Sequence, residues 1–226
     1  MIPVYVFTND NHVHLLRGFA HLWNEYSDSA NTVTVVGYTE PDFELPNNFT
    51  FYSLGQQVPK EKWSNSIIDF CERLDSKYFI MLLEDYWLIN HVDRLVIPKL
   101  MDFMADDVLR IDLSGNRNGH PHIAVDECMD YKILQSLPHA KYLMSFQAAI
   151  WHKENLLSVL RRNENPWQAE IDGSKRVKNS GLRVLGTDLK VMNYQPVWRS
   201  QQRKWQLDKI PTYQLERIKS WGWLNA

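Results

Sequence analysis

Apolar residues recur along this chain at two spacings, and the switches between them predict strands and helices in turn. Residues 1–7 are predicted as a first strand. Residues 11–26 follow as a helix, with Val13, Leu16, Phe19, Ala20 and Trp23 on one face and Asn9, Asp10 or Asn11 as cap. A Val- and Thr-rich strand over 32–38 comes next, then a polar loop containing proline and a short strand over 50–54. Residues 64–74 read as a helix that buries Ile67, Ile68, Phe70, Cys71 and Leu74. Beyond a strand at 78–83, residues 92–104 are predicted helical and 108–113 a strand. Residues 114–125 read as a loop, 131–137 and 146–151 as strands, and 154–162 as a helix. Asn165 and Pro166 have the residue types of a cap and first helical position, so another helix begins there. Two short strands within 184–197 and a helix over 211–221 complete the pattern. Strand–helix alternation that gives way to a more mixed second half predicts an α/β/α sandwich with a mixed, mostly parallel central sheet.

The run Tyr78-Phe79-Ile80-Met81-Leu82-Leu83 ends abruptly in Glu84-Asp85, and aromatic and apolar residues resume at once with Tyr86-Trp87-Leu88. Two adjacent carboxylates at the end of a buried strand are costly. Desolvation and mutual repulsion raise at least one pKa unless a cation sits against them. In α/β proteins the carboxyl ends of strands are also where ligands bind. Magnesium and manganese take hard oxygen ligands and often bind through one or two carboxylates plus substrate phosphates. Adjacent strand residues point apart, so Asp85 is the expected metal ligand, with Glu84 serving a hydroxyl or a neighbouring cation. The plain alternative is a turn cap and a structural ion pair.

Composition narrows the setting. At 226 residues, 44% hydrophobic and 23% charged, the chain has the make-up of one globular domain spanning 1–226. Its two cysteines, Cys71 and Cys128, lack C-x-x-C spacing, which disfavours a disulfide framework or a zinc–cysteine site. The opening apolar run is too short for a signal peptide or membrane span, so a cytoplasmic setting is expected. The net charge of -2 conceals an asymmetry: residues 173–226 hold eleven Lys/Arg and three Asp/Glu, whereas 1–172 hold 14 and 24. A basic final third suits a diphosphate, a polyanion or an anionic surface, or is simply a solvated face. Segment 199–226 reads as an appended basic helix.

Ser145-Phe146-Gln147-Ala148-Ala149-Ile150-Trp151 and Asn165-Pro166-Trp167-Gln168-Ala169-Glu170 form a second constellation. A glutamate early in a helix lies near backbone N–H groups and the helix dipole, which favour its ionised form. Trp167 nearby raises the pKa back towards neutrality, as a general base needs. A capping or surface glutamate is the alternative. Gly173-Ser174-Lys175-Arg176 offers phosphate contacts without the full P-loop pattern. His120 and His122 lie in a Gly/Pro loop, and Asp112 and Arg117 flank a plausible ligand-facing turn. Neither a Ser-His-Asp order nor H-E-x-x-H is visible. A nucleotidyltransferase would need a Gly-rich, Lys/Arg-containing loop after the first strand, and Thr8-Asn9-Asp10-Asn11-His12 has none of these residues.

Together with Val4-Tyr5-Val6-Phe7-Thr8-Asn9 and Arg110-Ile111-Asp112-Leu113, these segments resemble the GT-A class of nucleotide-sugar glycosyltransferases. The resemblance is to its small single-domain bacterial and phage members linked to capsule or lipopolysaccharide assembly. It implies a Rossmann-like sheet with the sugar nucleotide across its strand ends, in a bacterial or phage-infected cytosol. Thr8, Asn9, Asp10 and Glu84 would contact the donor nucleotide. Glu84-Asp85-Tyr86 stands where the family has Asp-x-Asp, so Asp85 would hold Mn2+ or Mg2+. Glu170 matches the acidic base of inverting members, and Ile171 interrupts the Glu-Asp pair seen in several. Trp167, Gln147, Lys175, Arg176 and Arg199, with Arg203, are the candidate acceptor or phosphate contacts. The implied reaction moves a sugar from a nucleotide-diphosphate donor to an acceptor hydroxyl. The acceptor is a saccharide or, in a DNA-modifying version, a hydroxymethylated base; a non-catalytic nucleotide- or nucleic-acid-binding module is the rival reading.

Overall fold

The computed structural model describes residues 2–27, 30–199 and 201–224. Four strands open the sheet in parallel: β1 (Val4–Phe7), β2 (Val33–Gly37), β3 (Phe49–Ser53) and, after helices α1 (Leu16–Tyr26) and α2 (Trp63–Glu72), β4 (Tyr78–Leu83). The chain continues through β5 (Tyr86–Leu88), α3 (Val96–Leu100), β6 (Val108–Asp112), β7 (His122–Cys128), β8 (Tyr131–Ser136) and β9 (Ala149–His152). Helices α4 (Lys153–Val159) and α5 (Pro166–Lys178), strands β10 (Arg183–Thr187), β11 (Tyr194–Pro196), β12 (Trp198–Arg199) and β13 (Lys204–Trp205), and helix α6 (Thr212–Ser220) follow.

The central sheet has the order β3-β2-β1-β4-β9-β6-β10-β8-β7. β9 is inserted antiparallel between β4 and β6, while β6 and β10 run parallel to each other. β8 and β7 finish the edge as antiparallel partners. Period-two alternation sends the two faces of each strand into different cores. Val4 and Val6 of β1 pack with α1, and Ile80 and Leu82 of β4 join them with Val96 of α3 and Ile218 of α6. Phe7 faces the opposite core with Phe79 and Met81, against Ile67, Phe70 and Cys71 of α2 and residues of α4 and α5. Helices therefore cover both faces, as the strand–helix pattern predicts: a Rossmann-like α/β/α arrangement with a mixed, mostly parallel sheet.

Several boundaries differ from the sequence expectation, each for a physical reason. The helix predicted over 92–104 is α only at Val96–Leu100 and tightens to a 3-10 turn at Met101–Phe103. Asp93 is diverted to the backbone N–H groups of Leu95 and Val96 before the helix starts. The loop predicted over 114–125, from its Gly115, Gly119 and Pro121, already contains the beginning of β7, an edge strand so exposed over 123–127 that no period-two alternation marks it. Tyr86–Leu88 is a strand that periodicity did not reveal, pairing with β11 in a separate two-stranded ladder. In the basic C-terminal segment, β12 and β13 form a hairpin before α6. Residues 200, 225 and 226 of that segment, like Met1 of the first strand, lie outside the described residues. α6 docks on α1: Gln214 bonds His21 at 2.8 Å and Tyr213 bonds Tyr26 at 2.8 Å.

Two close approaches hold the region under the strand ends. The indole of Trp87 lies against Gly18 of α1, where any Cβ would overlap Cη2, Cζ2 and Cζ3 of its six-membered ring. Trp87 also packs on Trp205 of β13, tying that hairpin to the core. α5 begins with a full capping box: Asn165 accepts from Gln168 N at 2.9 Å, and Gln168 Oε1 accepts from Asn165 N at 3.0 Å. That cap fixes the start of the helix that carries Glu170.

Candidate active site

The acidic pair forms the two-residue turn between β4 and β5, beside the loop that follows β1. Glu84 is buried at 4% exposure, and its Oε1 lies 2.9 Å from His12 Nδ1. Asn9 Nδ2 is 3.1 Å from the same ring nitrogen, and Asn9 Oδ1 accepts from Asn11 N at 3.0 Å. Burial pulls the His12 pKa down, but the hydrogen bond to Glu84 and the charges of Glu84 and Asp85 outweigh it, leaving a net rise. A protonated His12 donates to the Glu84 carboxylate. Among the described residues Asp85 has no such partner for its carboxylate, although its carbonyl accepts from Val197 N at 2.8 Å. Burial first, then the charge of Glu84, push the Asp85 pKa up to about 7, against the smaller pulls of His12 and of its own backbone N–H. Thr8 is buried, held by Val36 O at 2.9 Å, while Asp10 accepts from Thr39 N at 3.0 Å and its own N–H binds Gln57.

Next to this group opens a cleft of about 550 Å³. Tyr86, Gln147, Trp167, Glu170, Tyr194 and Arg117 are among its walls. Glu170 is the fifth residue of α5, and its Oε1 accepts from Phe146 N at 2.8 Å at the lead into β9. Burial raises its pKa, opposed by that backbone bond, by the charge of Arg110 and by the Ser145 hydroxyl. The carboxylate is thus pinned by one oxygen and biased towards accepting a proton. Tyr194 donates to Gln147 Oε1 at 2.7 Å and accepts from Ala148 N at 3.0 Å, a fixed polar spine along one wall. Tyr86 follows Asp85 directly in the chain and lines the cleft, so it joins the acidic turn to the cleft wall. Trp167 is 49% exposed, with Lys60 Nζ 3.7 Å from its ring centre.

The sequence-predicted residues divide into three groups. Thr8, Asn9, Asp10, Glu84 and Asp85 gather at the ends of β1 and β4. Trp167, Gln147 and Glu170 line the cleft alongside. Lys175 and Arg176 are brought to neither, because the helical period turns them away from Glu170. Lys175 pairs with Asp172 at 2.7 Å in solvent, and Arg176 grips Glu164 with both terminal nitrogens at 2.8 and 2.7 Å. Arg199 is exposed on β12 and is not among the cleft residues. Sequence reasoning missed His12, Tyr86 and Tyr194. His12 was legible only as a polar residue after the first strand, since its partner lies 72 positions away.

A cation fits the acidic turn only in a limited sense. Among the described residues no group of three or more His, Cys, Asp or Glu side chains could hold a metal ion. Asp85 nonetheless presents a carboxylate whose pKa is raised by burial and by the charge of Glu84, so an ion there would rest on Asp85 and on ligand oxygens.

No family model matches the chain, and no curated protein matches it in sequence. Among solved structures it is similar to an apo UDP-glucose pyrophosphorylase, at 9% sequence identity over 87% of this chain and 93% of that chain, with a TM-score of 0.48. A likeness that distant carries no chemistry from one protein to the other. No helix among the described residues is long and apolar enough to cross a membrane.

Proposed function

We propose that this protein is a glycosyltransferase that moves a sugar from a nucleotide-diphosphate donor to an acceptor hydroxyl, with inversion. The observation that carries the reading is the pairing of Asp85, in the turn at the end of β4, with Glu170, held by Phe146 N in the adjoining cleft; burial raises the pKa of both carboxyls. A divalent ion on Asp85 would make the first position suit the diphosphate, and Glu170 suits the acceptor; Tyr86 links the two along the cleft wall. The loop after β1 lies beside Glu84 and would hold the nucleoside, as the sequence resemblance implies. It contains no glycine, lysine or arginine, the residues a nucleotidyltransferase uses there.

The steps follow from this chain's own groups. Glu170, held by Phe146 N, accepts the proton of the acceptor hydroxyl through its free oxygen. The hydroxyl oxygen forms a bond to the anomeric carbon as the bond from that carbon to the diphosphate breaks, its electron pair leaving with the diphosphate. The sugar passes through an oxocarbenium-like state. His12 and Glu84 hold the turn in place, and Asp85 would hold Mn2+ or Mg2+. A divalent ion there supplies Lewis acidity to the departing diphosphate. Half-exposed Trp167 gives the acceptor an aromatic surface of the kind sugars stack on, which favours a saccharide acceptor.

The test is release of nucleoside diphosphate from a panel of nucleotide sugars, with and without mono- and oligosaccharide acceptors. Acceptor-stimulated release that drops at least a hundredfold in Glu170→Gln supports transfer. Nucleotide-sugar binding without turnover, unchanged by that substitution, would make the protein a binding module instead.

A further inference from the structure

Beyond Glu170 the cleft is lined by a positively charged side chain that the transfer step does not use, Arg117, and a second buried arginine, Arg110, lies close by without lining the cleft. Arg110 and Arg117 are both fully or nearly fully buried, at 0% and 2% exposure, with Asp112 between them in sequence. Asp112 is already committed: it takes Arg110 Nη1 at 3.3 Å, Ser114 N at 2.9 Å and Ser114 Oγ at 2.6 Å. Arg117 lines the cleft, and among the described residues a single weak bond reaches its guanidinium, from Nη1 to Lys141 O at 3.4 Å. Its Nε is buried without a partner there, as is Nη2 of Arg110. The side chain runs over Gly186 of β10, where a Cβ would collide with it, so the backbone has been left bare to admit it. Burial, then the charge of Arg110, lower its pKa to about 10 against the pull of Asp112. His120 and exposed Lys190 stand in the same walls. A buried guanidinium with unused donors is expensive unless something negative completes it.

The position of this group says which end of a substrate it meets. Asp85 follows β4, whereas Arg117 follows β6 and rests on β10. In the order β4-β9-β6-β10 that is two to three strand spacings, about 10–14 Å. Glu170 is bonded to the lead into β9, between them. An anion on Arg117 would therefore lie on the far side of Glu170 from the acidic turn.

We infer that Arg117, with Lys190 and His120, forms an oxyanion subsite for the acceptor, and that the acceptor saccharide carries a carboxylate or phosphate group. This rests on the transferase reading for the word acceptor, but not for the anion site itself. Oxyanions match the guanidinium fork in geometry and charge. A floor arginine at 2% exposure takes a single substituent rather than the backbone of a nucleic acid, whose contacts are made at an open basic surface.

The experiment is thermal unfolding of the full chain at fixed ionic strength with glucuronate, glucose 6-phosphate, inorganic phosphate, neutral glucose and duplex DNA, each alone and together with nucleoside diphosphates and nucleotide sugars. It is run on wild type, Arg117→Gln, Lys190→Glu and Asp85→Asn. The expected result is binding of glucuronate or of the two phosphates at least tenfold tighter than of glucose, and the preferred member names the group. Lys190→Glu and Arg117→Gln should lose that preference at least tenfold, and Asp85→Asn should keep it. Because Arg117→Gln could fail to fold, exposed Lys190→Glu carries the test alone if circular dichroism shows that it has. A nucleoside diphosphate should bind together with the anion. Equal response to glucose and the anions, a preference untouched in Lys190→Glu, competition with the diphosphate, or a response confined to duplex DNA would each overturn the subsite. An anion response with no nucleotide-sugar response would leave the subsite standing and sink the transferase reading; the reverse pattern would do the opposite.

Discussion

Replacing Asp85 by asparagine should stabilise the protein at alkaline pH. An unfolded aspartate titrates near 4, whereas burial and Glu84 hold the folded carboxyl to about 7. Three units correspond to a ceiling of about 4 kcal/mol, and screening of this partly exposed side chain reduces it to about 1–2 kcal/mol. Between these two pKa values the native state keeps a proton that the unfolded chain has released. Stability therefore falls as pH rises through this window and levels off above about 7. His12, whose folded pKa is also raised, adds a decline of the same sign as pH passes its own folded value. Asparagine removes the Asp85 contribution and leaves a weaker one from His12. Urea denaturation at pH 5 and pH 8 in chelator is the assay. Wild type and Asp85→Asn should be close at pH 5, and the variant should be about 1–2 kcal/mol more stable at pH 8. A variant less stable than wild type at pH 8, or an equal decline in both proteins, would refute the claim that Asp85 is a strained acid.

Glu170→Gln keeps an acceptor for Phe146 N, so unfolding should change by less than about 1 kcal/mol while turnover falls about 10²–10⁴-fold. The acid limb of the wild-type pH–rate profile should lie above that of an ordinary glutamate, because burial raises this one. Gly18→Ala gains helix propensity yet must displace Trp87, and a net loss of about 1–2 kcal/mol is expected in thermal unfolding. Asn165→Ala removes the capping box and should cost about 0.5–2 kcal/mol. Lys175→Ala breaks only an exposed pair with Asp172, so activity and stability should both stay near wild type.

The core was largely legible because its strands and helices obey clean periods: β1, β2 and β4 fall within about three residues of expectation, and α5 starts where Asn165 and Pro166 place it. The acidic turn was legible as well, since two adjacent carboxylates closing a buried strand are costly unless a cation or a ligand makes use of them. What the sequence could not show is long-range. His12 meets Glu84, Tyr194 meets Gln147, and Arg117 rests on Gly186, and each pair is set by strand order rather than by spacing along the chain. β5 and β11 are three residues each and carry too little pattern to register alone. Lys175 and Arg176 misled for a related reason. A basic pair after Gly-Ser resembles a phosphate contact, but only the helical phase shows that it faces Asp172 and Glu164.

Thermal stability of the wild-type chain with a panel of nucleoside diphosphates and nucleotide sugars, in manganese, magnesium or chelator, tests the central claim most directly. A ligand at about a hundred times its dissociation constant stabilises by about 2.7 kcal/mol, a readily seen shift. The account predicts stabilisation by the diphosphate and sugar conjugates of one nucleoside, with the metal-dependent part of the shift lost in Asp85→Asn. No stabilisation by any nucleotide, with or without metal, would contradict a donor site at the ends of β1 and β4.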